Sequence, residues 1–287
     1  MAQRASPERD SRLGRPRGAV GRAPHAAVLV LPGGGSSGGV RGGSVLAAAS
    51  ALPLARRLGR ATSDDDPVVT HLVHYRNGRR HHPGADAARR TADCAADAEE
   101  AVAEVVRRYG DIPVCLVGTD VGALAALRAA GHEAVASAVA LGPLLRMSPD
   151  GHRRGSVPAE GDGPAEGNGS GSADRSGAGG EEPVQQLRGR DVLIVHGTND
   201  TRCDPELSFR LAERAKKVNA RVCRFEVHTD GHGLRGYAAE VAALTEDFAL
   251  GTLCGRDLCR PLTDALAAPP PLGLRMPLAS GFGKNLR

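Results

Sequence analysis

Apolar and polar positions along the chain follow two alternating patterns. Short apolar or β-branched runs occur at Ala26 to Leu31, Val68 to Tyr75, Val114 to Val117, Val135 to Leu141, Val192 to His196 and Arg221 to Val227. Runs this short, bounded by turn residues, read as strands, and those such as Val-Leu-Ile-Val that are apolar throughout read as buried on both faces. Longer stretches with apolar residues on one side lie between them: Val45 to Arg60, Asp86 to Tyr109, Val121 to Ala130, Pro205 to Lys217 and about Gly236 to Leu250. These read as helices, the first with a kink expected at Pro53. Strands that alternate with helices imply parallel βαβ units with right-handed crossovers. The expected fold is an α/β, doubly wound, mostly parallel sheet of about six strands flanked by helices. Ligands of such sheets bind beyond the carboxyl ends of the strands.

Three stretches break the pattern. Residues 1–24 are rich in Arg, Gly and Pro without periodicity and read as a disordered, Arg-rich arm. Residues 151–183 are mostly Gly, Ser, Asp and Glu and read as a low-complexity insert. Residues 251–287, with Pro269-Pro270-Pro271, read as a loose C-terminal tail. Residues 25–250 remain as one domain.

Composition narrows the chemistry. Hydrophobic residues make up 41% of the chain, but there is no Trp, and only three Tyr and four Phe. The core must therefore be built from Ala, Val and Leu. The net charge is +4, and Lys216, Lys217 and Lys284 are the only lysines. Arg4, Arg9, Arg12, Arg15, Arg17 and Arg22 read as a solvated arm, because no aromatic or folded basic motif accompanies them; no nucleic-acid partner is expected. No apolar run has transmembrane length, and residues 1–24 lack the apolar stretch of a secretory signal. The six cysteines form no C-x-x-C pair, which in a domain this large suggests reduced thiols and a cytoplasmic location. Neither Cys254 and Cys259 nor His81 and His82 have further ligands at metal spacing, so no metal or other cofactor is expected. The glycines of residues 33–43 lack the Lys-Ser/Thr of a phosphate loop, so they do not read as a nucleotide site.

Four motifs fall at the ends of expected strands. Gly118-Thr119-Asp120-Val121-Gly122-Ala123 follows one strand and opens a helix. Small residues on both sides of so sharp a turn push the apex side chain, Asp120, into the open above the sheet. His196-Gly197-Thr198-Asn199-Asp200 ends the next strand but one. Asp230-Gly231-His232-Gly233 follows the last strand, and Leu31-Pro32-Gly33-Gly34-Gly35 follows the first. Taken singly, each has a bland reading: a packing turn, a helix cap, a loop histidine.

Together and in this order, the motifs resemble those of the α/β-hydrolase superfamily, over about residues 25–250. The turn at Asp120 is similar to the nucleophile elbow G-x-S-x-G, with Asp in the Ser position. The resemblance implies Asp120 as nucleophile, His232 as base and Asp200 as its orienter. It implies Gly118 and Gly122 as the elbow's small residues, and the backbone N–H groups of Gly34 and Val121 as the oxyanion hole. It also implies a small member lacking the family's first two strands and its cap, with the insert standing where a cap would be. The expected cleft is then open and poorly selective. Asp150, which opens the insert, is a second candidate for the acid.

An aspartate alters the expected reaction. Attack on a carboxylic ester would give an anhydride, whereas displacement at saturated carbon gives an ester that His232 could help water to cleave. Haloalkane dehalogenases and epoxide hydrolases of this fold work in that way. This chain lacks the Trp donors of the former, and the cap tyrosines and H-G-x-P loop of the latter; Tyr75 is the only well-placed Tyr. The expectation is a hydrolase of a small molecule through an Asp-His-Asp triad. The alternative is a catalytically inactive member of the fold that binds or regulates.

Overall fold

The computed structural model describes residues 12–33, 45–75, 87–146, 181–230 and 234–284. Gly34, His81, His82, Asp150, His232 and most of the expected insert lie outside the described residues.

The elements in chain order are β1 (Arg17–Gly18), β2 (Ala26–Leu31), α1 (Val45–Arg60), β3 (Val68–Leu72), α2 (Ala87–Tyr109), β4 (Val114–Thr119), α3 (Val121–Ala129) and β5 (Val135–Leu141). Then come β6 (Asp191–Asn199), α4 (Pro205–Val218), β7 (Val222–Asp230), α5 (Ala238–Cys254), α6 (Arg260–Ala267) and β8 (Met276–Pro277). They form one sheet in the order β1-β3-β2-β4-β5-β6-β7-β8. The strands from β2 to β8 pair in parallel, and only β1 is antiparallel. The six long strands are the six expected, and a two-residue strand is added at each edge. From β2 the chain winds one way to β3 and the other way through β4 to β8. The order therefore reverses between β2 and β4, which is where sheets of this kind open a crevice.

The strands are mostly apolar because both faces are covered. On β2, Ala27, Leu29 and Leu31 join a core that also contains Val102, Leu124 and Leu211, from α2, α3 and α4. Ala26, Val28 and Val30 join a second core with Leu58, Leu244 and Leu262, from α1, α5 and α6. Helix α3 is buried almost all round, as a helix without a polar face must be.

Both ends of the chain depart from expectation. Residues 12–24 are not a free arm. Leu13 is buried and bridged to Val73, the Gly14 N–H donates to the Leu72 carbonyl at 2.8 Å, and β1 pairs with β3. Arg12 anchors this segment on α2 through Glu100 at 3.0 Å. Without it, β3 would expose an unpaired edge, a state that folded sheets cover or blunt. Residues 251–284 are likewise not a loose tail. Leu262, Ala265 and Leu274 are fully buried, and β8 closes the other edge through the Leu278 N–H, which donates to the Glu226 carbonyl at 2.8 Å. The last residues of the expected insert are also tied down: Glu182 accepts two hydrogen bonds from Arg128, at 2.8 and 2.6 Å.

Candidate active site

Asp120 lies between β4 and α3 with φ 55° and ψ −118°, backbone angles that side chains disfavour. The local sequence leaves little choice. A Cβ on Gly118 would stand 2.0 Å from the Gly122 carbonyl oxygen, and one on Gly122 would stand 2.4 Å from the Leu31 carbonyl oxygen. Only glycine at both positions lets β4, α3 and the end of β2 approach this closely. The apex is then pinned through its own peptide groups. The Asp120 N–H donates to the Leu141 carbonyl at 3.0 Å, while its carbonyl accepts from Ala123 at 3.2 Å and Leu144 at 3.4 Å. Strain of this kind persists where the surroundings over-determine the backbone.

The loop after β2 abuts the apex, since a Cβ on Gly33 would stand 2.9 Å from that of Asp120. Tyr75 holds this loop by donating its hydroxyl to the Pro32 carbonyl at 3.2 Å. Burial pushes the Tyr75 phenol well above its ordinary range, and Cys94, Asp97 and the Asp120 carboxylate push it the same way. Val121 opens α3, so its N–H belongs to the first helical turn, whose donors have no partner within the helix. The other expected oxyanion donor, Gly34, is outside the described residues.

Strand β6 continues through Asn199, three residues beyond the run read from sequence, so only Asp200 of that motif stands in the loop. Its Oδ1 accepts from the backbone of Arg202 at 2.8 Å and of Cys203 at 3.2 Å. Its Oδ2 lies 3.1 Å from Nε2 of His196, which is fully buried. An ionised carboxylate only accepts, so His196 donates through Nε2. The sequence showed His196 as part of a motif but gave no sign that its ring meets the acid. The signal, in retrospect, was the i, i+4 spacing across a strand end.

Cys203 joins the two halves of the site. Its thiol donates to the carbonyls of Pro143 and Leu145, both at 3.3 Å, and Leu144 between them contacts the Asp120 carbonyl. Burial raises this thiol to about 11, with the carboxylates of Asp200, Asp204 and Asp120 adding to the rise. It therefore stays protonated and keeps donating at neutral pH. Nothing in the spacing of Cys203 singled it out beforehand.

The β6–β7 ladder also extends, ending with Asn199 opposite Asp230. The chain thus enters residues 231–233 beside the residue that precedes Asp200, and re-emerges at buried Leu234. His232 itself lies outside the described residues. Gly118, Asp120, Val121 and Gly122 come together at the crevice, and Asp200 stands two strands away at the same end of the sheet. A cavity of about 660 Å³ lined by Arg57, Glu246 and Arg256 is not part of this site. It lies at the last turns of α1 and α5, towards the amino ends of the strands. Among the described residues, no cluster of three or more His, Cys, Asp or Glu is placed to hold a metal, and no helix is long and apolar enough to cross a membrane.

Neither a protein-family model nor a curated protein matches the chain. Solved structures do. TT1662 from Thermus thermophilus aligns with a TM-score of 0.55 and 18% identity, covering 82% of this chain and 91% of its own. Esterase PE8 aligns with 0.56 and 16%, covering 84% and 100%. An α/β serine hydrolase homologue from Coxiella burnetii aligns with 0.50 and 14%, covering 79% and 86%. At these identities the likeness is one of architecture: the chain has the α/β-hydrolase fold.

Proposed function

We propose that this protein is a hydrolase of the α/β type acting on a small molecule, with Asp120 as nucleophile, His232 as base and Asp200 orienting the histidine. The observation that carries this reading is the strained main chain of Asp120, held at the crevice by two obligatory glycines and three backbone hydrogen bonds. The esterase and hydrolase structures that share the fold support it.

A carboxylate at this apex suits a two-step displacement. An Asp120 oxygen forms a bond to a saturated carbon, and the leaving group departs with its electron pair. This leaves an ester between Asp120 and the substrate carbon. His232 then takes a proton from water as the hydroxide attacks the Asp120 carbonyl carbon. The oxyanion that forms is held by the N–H groups of Val121 and Gly34. Collapse expels an alkoxide that takes the proton back from His232 and leaves as an alcohol whose oxygen came from Asp120, and the carboxylate keeps one oxygen from water.

A screen of haloalkanes, epoxides and esters, followed by a single turnover in ¹⁸O-water, tests this directly. The expected result is ¹⁸O in the peptide that contains Asp120. Turnover that is unchanged in Asp120→Ala overturns the assignment. The other reading is an inactive binding or regulatory member of the fold, favoured by the absence of serine at the elbow. Asp120→Ser separates the two: new esterase activity shows a working base and oxyanion hole, and its absence alongside an inert wild type supports the inactive reading.

A further inference from the structure

We infer that the substrate of the Asp120 cleft carries an anionic group, a carboxylate or phosphate, away from its reacting carbon. This rests on reading that cleft as a substrate site. Among the described residues, the stretches that leave β5, β6 and β7 at their carboxyl ends each present an exposed arginine: Arg146 after β5, Arg202 after β6 and Arg235 after β7.

Two of them are brought together by the site's own contacts. Arg202 precedes Cys203, Arg146 follows Leu145, and the Cys203 thiol bonds to the Leu145 carbonyl. Arg202 also donates its N–H to Asp200, so its guanidinium springs from the acid loop itself. Arg235 belongs to the turn that follows residues 231–233.

Several other surface arginines are already paired. Arg128, Arg214, Arg256 and Arg275 each hold a carboxylate, at 2.6, 2.7, 2.6 and 2.8 Å. Among the described residues, no side-chain hydrogen bond or ion pair engages Arg146, Arg202 or Arg235. Other charged groups described at this end include the carboxylates of Asp120 and Asp200, Asp204, which accepts from the Glu206 N–H as the cap of α4, Glu206 itself, which pairs with Arg275 at 2.8 Å, and Arg89, Arg90, Asp93 and Asp97 in the first turns of α2. His228 lies with Nδ1 3.2 Å from the Thr198 hydroxyl.

Cations at the rim above carboxylates on the floor make a cleft polarised along its depth. An uncharged ligand gains no orientation from that field. A ligand with an anionic tail is drawn to the rim, where guanidinium forks match carboxylate and phosphate oxygens, and its neutral reacting carbon is left facing Asp120. Selectivity in an open cleft then comes from charge rather than from walls.

The test compares wild type with two triple variants, Arg146→Gln/Arg202→Gln/Arg235→Gln and Arg146→Lys/Arg202→Lys/Arg235→Lys, at low salt. These exposed side chains hold no partner among the described residues, so both variants are expected to fold. Any substrate class that turns over is offered as a neutral compound and as its ω-carboxylate counterpart. Wild type is expected to favour the carboxylate in kcat/KM by about tenfold, as three exposed ion pairs of ordinary strength allow. The preference should invert or vanish in the Gln triple, survive in part in the Lys triple, and fall in 0.5 M salt. Equal use of both compounds by wild type, or a preference that the Gln triple keeps, overturns the inference while leaving the hydrolase reading in place. If nothing turns over, binding of hexanoate and hexanamide measured by NMR decides. Tighter hexanoate binding that the Gln triple loses sustains the anion site without the hydrolase, and equal binding of the two ligands by wild type removes it.

Discussion

At position 120 the usual ranking of alanine and glycine should reverse. At an ordinary backbone position, glycine is less stable than alanine by about 0.5–1 kcal/mol, because it loses more freedom on folding. Asp120 has φ 55° and ψ −118°, where a Cβ is strained whatever side chain follows it. Such strain costs on the order of 1–3 kcal/mol at a non-glycine residue. Asp120→Ala and Asp120→Gly both remove the carboxylate, so they share every electrostatic consequence and differ only in the Cβ. Subtracting the middle of the entropy range from the middle of the strain range leaves Gly ahead of Ala by about 1 kcal/mol. For a domain of this size each kcal/mol moves Tm by about 2–4 °C, so the glycine variant should melt about 2–4 °C higher. Thermal unfolding followed by circular dichroism, with urea titration to check that the cooperativity is shared, measures the difference. Equal melting, or alanine above glycine, would mean that the apex is not strained, and the main observation behind the active-site assignment would be lost.

Other residues give sharper local tests. Gly122→Ala puts a Cβ 2.4 Å from one backbone carbonyl oxygen and 2.6 Å from another, so it should lower Tm by several degrees, whereas Gly236→Ala, with nothing within 4 Å, should leave Tm nearly unchanged. Arg224 is fully buried and donates to Ser208, Glu226 and the carbonyls of Leu274 and Pro205. Arg224→Ala should therefore cost about 3 kcal/mol or more in urea unfolding, and Arg224→Lys, with no planar fork, should recover only part of it. His71 is buried between the Gly14 carbonyl and the Tyr109 hydroxyl, and burial lowers its pKa. The unfolded chain therefore takes up the proton first, so the contribution of His71 is complete above about pH 6.5 and is lost as the pH falls below that value. Wild type should lose more stability than His71→Gln between pH 7 and pH 5.

The parts of the fold that were legible in the sequence are those whose signal is local. The six long strands are mostly apolar because each is covered on both faces, and every expected helix start falls within about two residues of the observed one. The elbow was legible because two glycines flanking a polar residue after a strand have few other uses. The two edges were not legible, because their cause is distant. Arg17–Gly18 and Met276–Pro277 are strands only because β3 and β7 would otherwise expose open edges, and two residues carry no periodicity. Helix α6 spans eight residues with two fully buried side chains, Leu262 and Ala265, and the adjoining prolines obscured it. Within the site, the partners of Cys203 escaped notice for the same reason. The contact of Cys203 with residues 143 and 145 spans about sixty positions of sequence that include the insert.

The position of the structural costs bears on what the crevice is for. A folding chain gains nothing from an aspartate at φ 55°, since a glycine would fit the same turn with less strain. Nor does it gain from placing a carboxylate and an imidazole, both buried, at the end of a strand, where apolar side chains would pack without desolvation cost. One such departure could be an accident of packing. Here the two stand two strands apart at the same end of one sheet, beside the point where the strand order reverses, and the Cys203 thiol and residues 143–145 connect them. Breaks with local preference that converge on a crevice, with no gain in packing to offset them, are what a functional site looks like in energetic terms. The residue at the apex then decides the chemistry. A serine there would point to acyl transfer, whereas a carboxylate is a poor nucleophile for an ester carbonyl and a competent one for an electrophilic saturated carbon. On the proposed reading, the turn defines where the reaction happens, and Asp120 defines which bonds it can make.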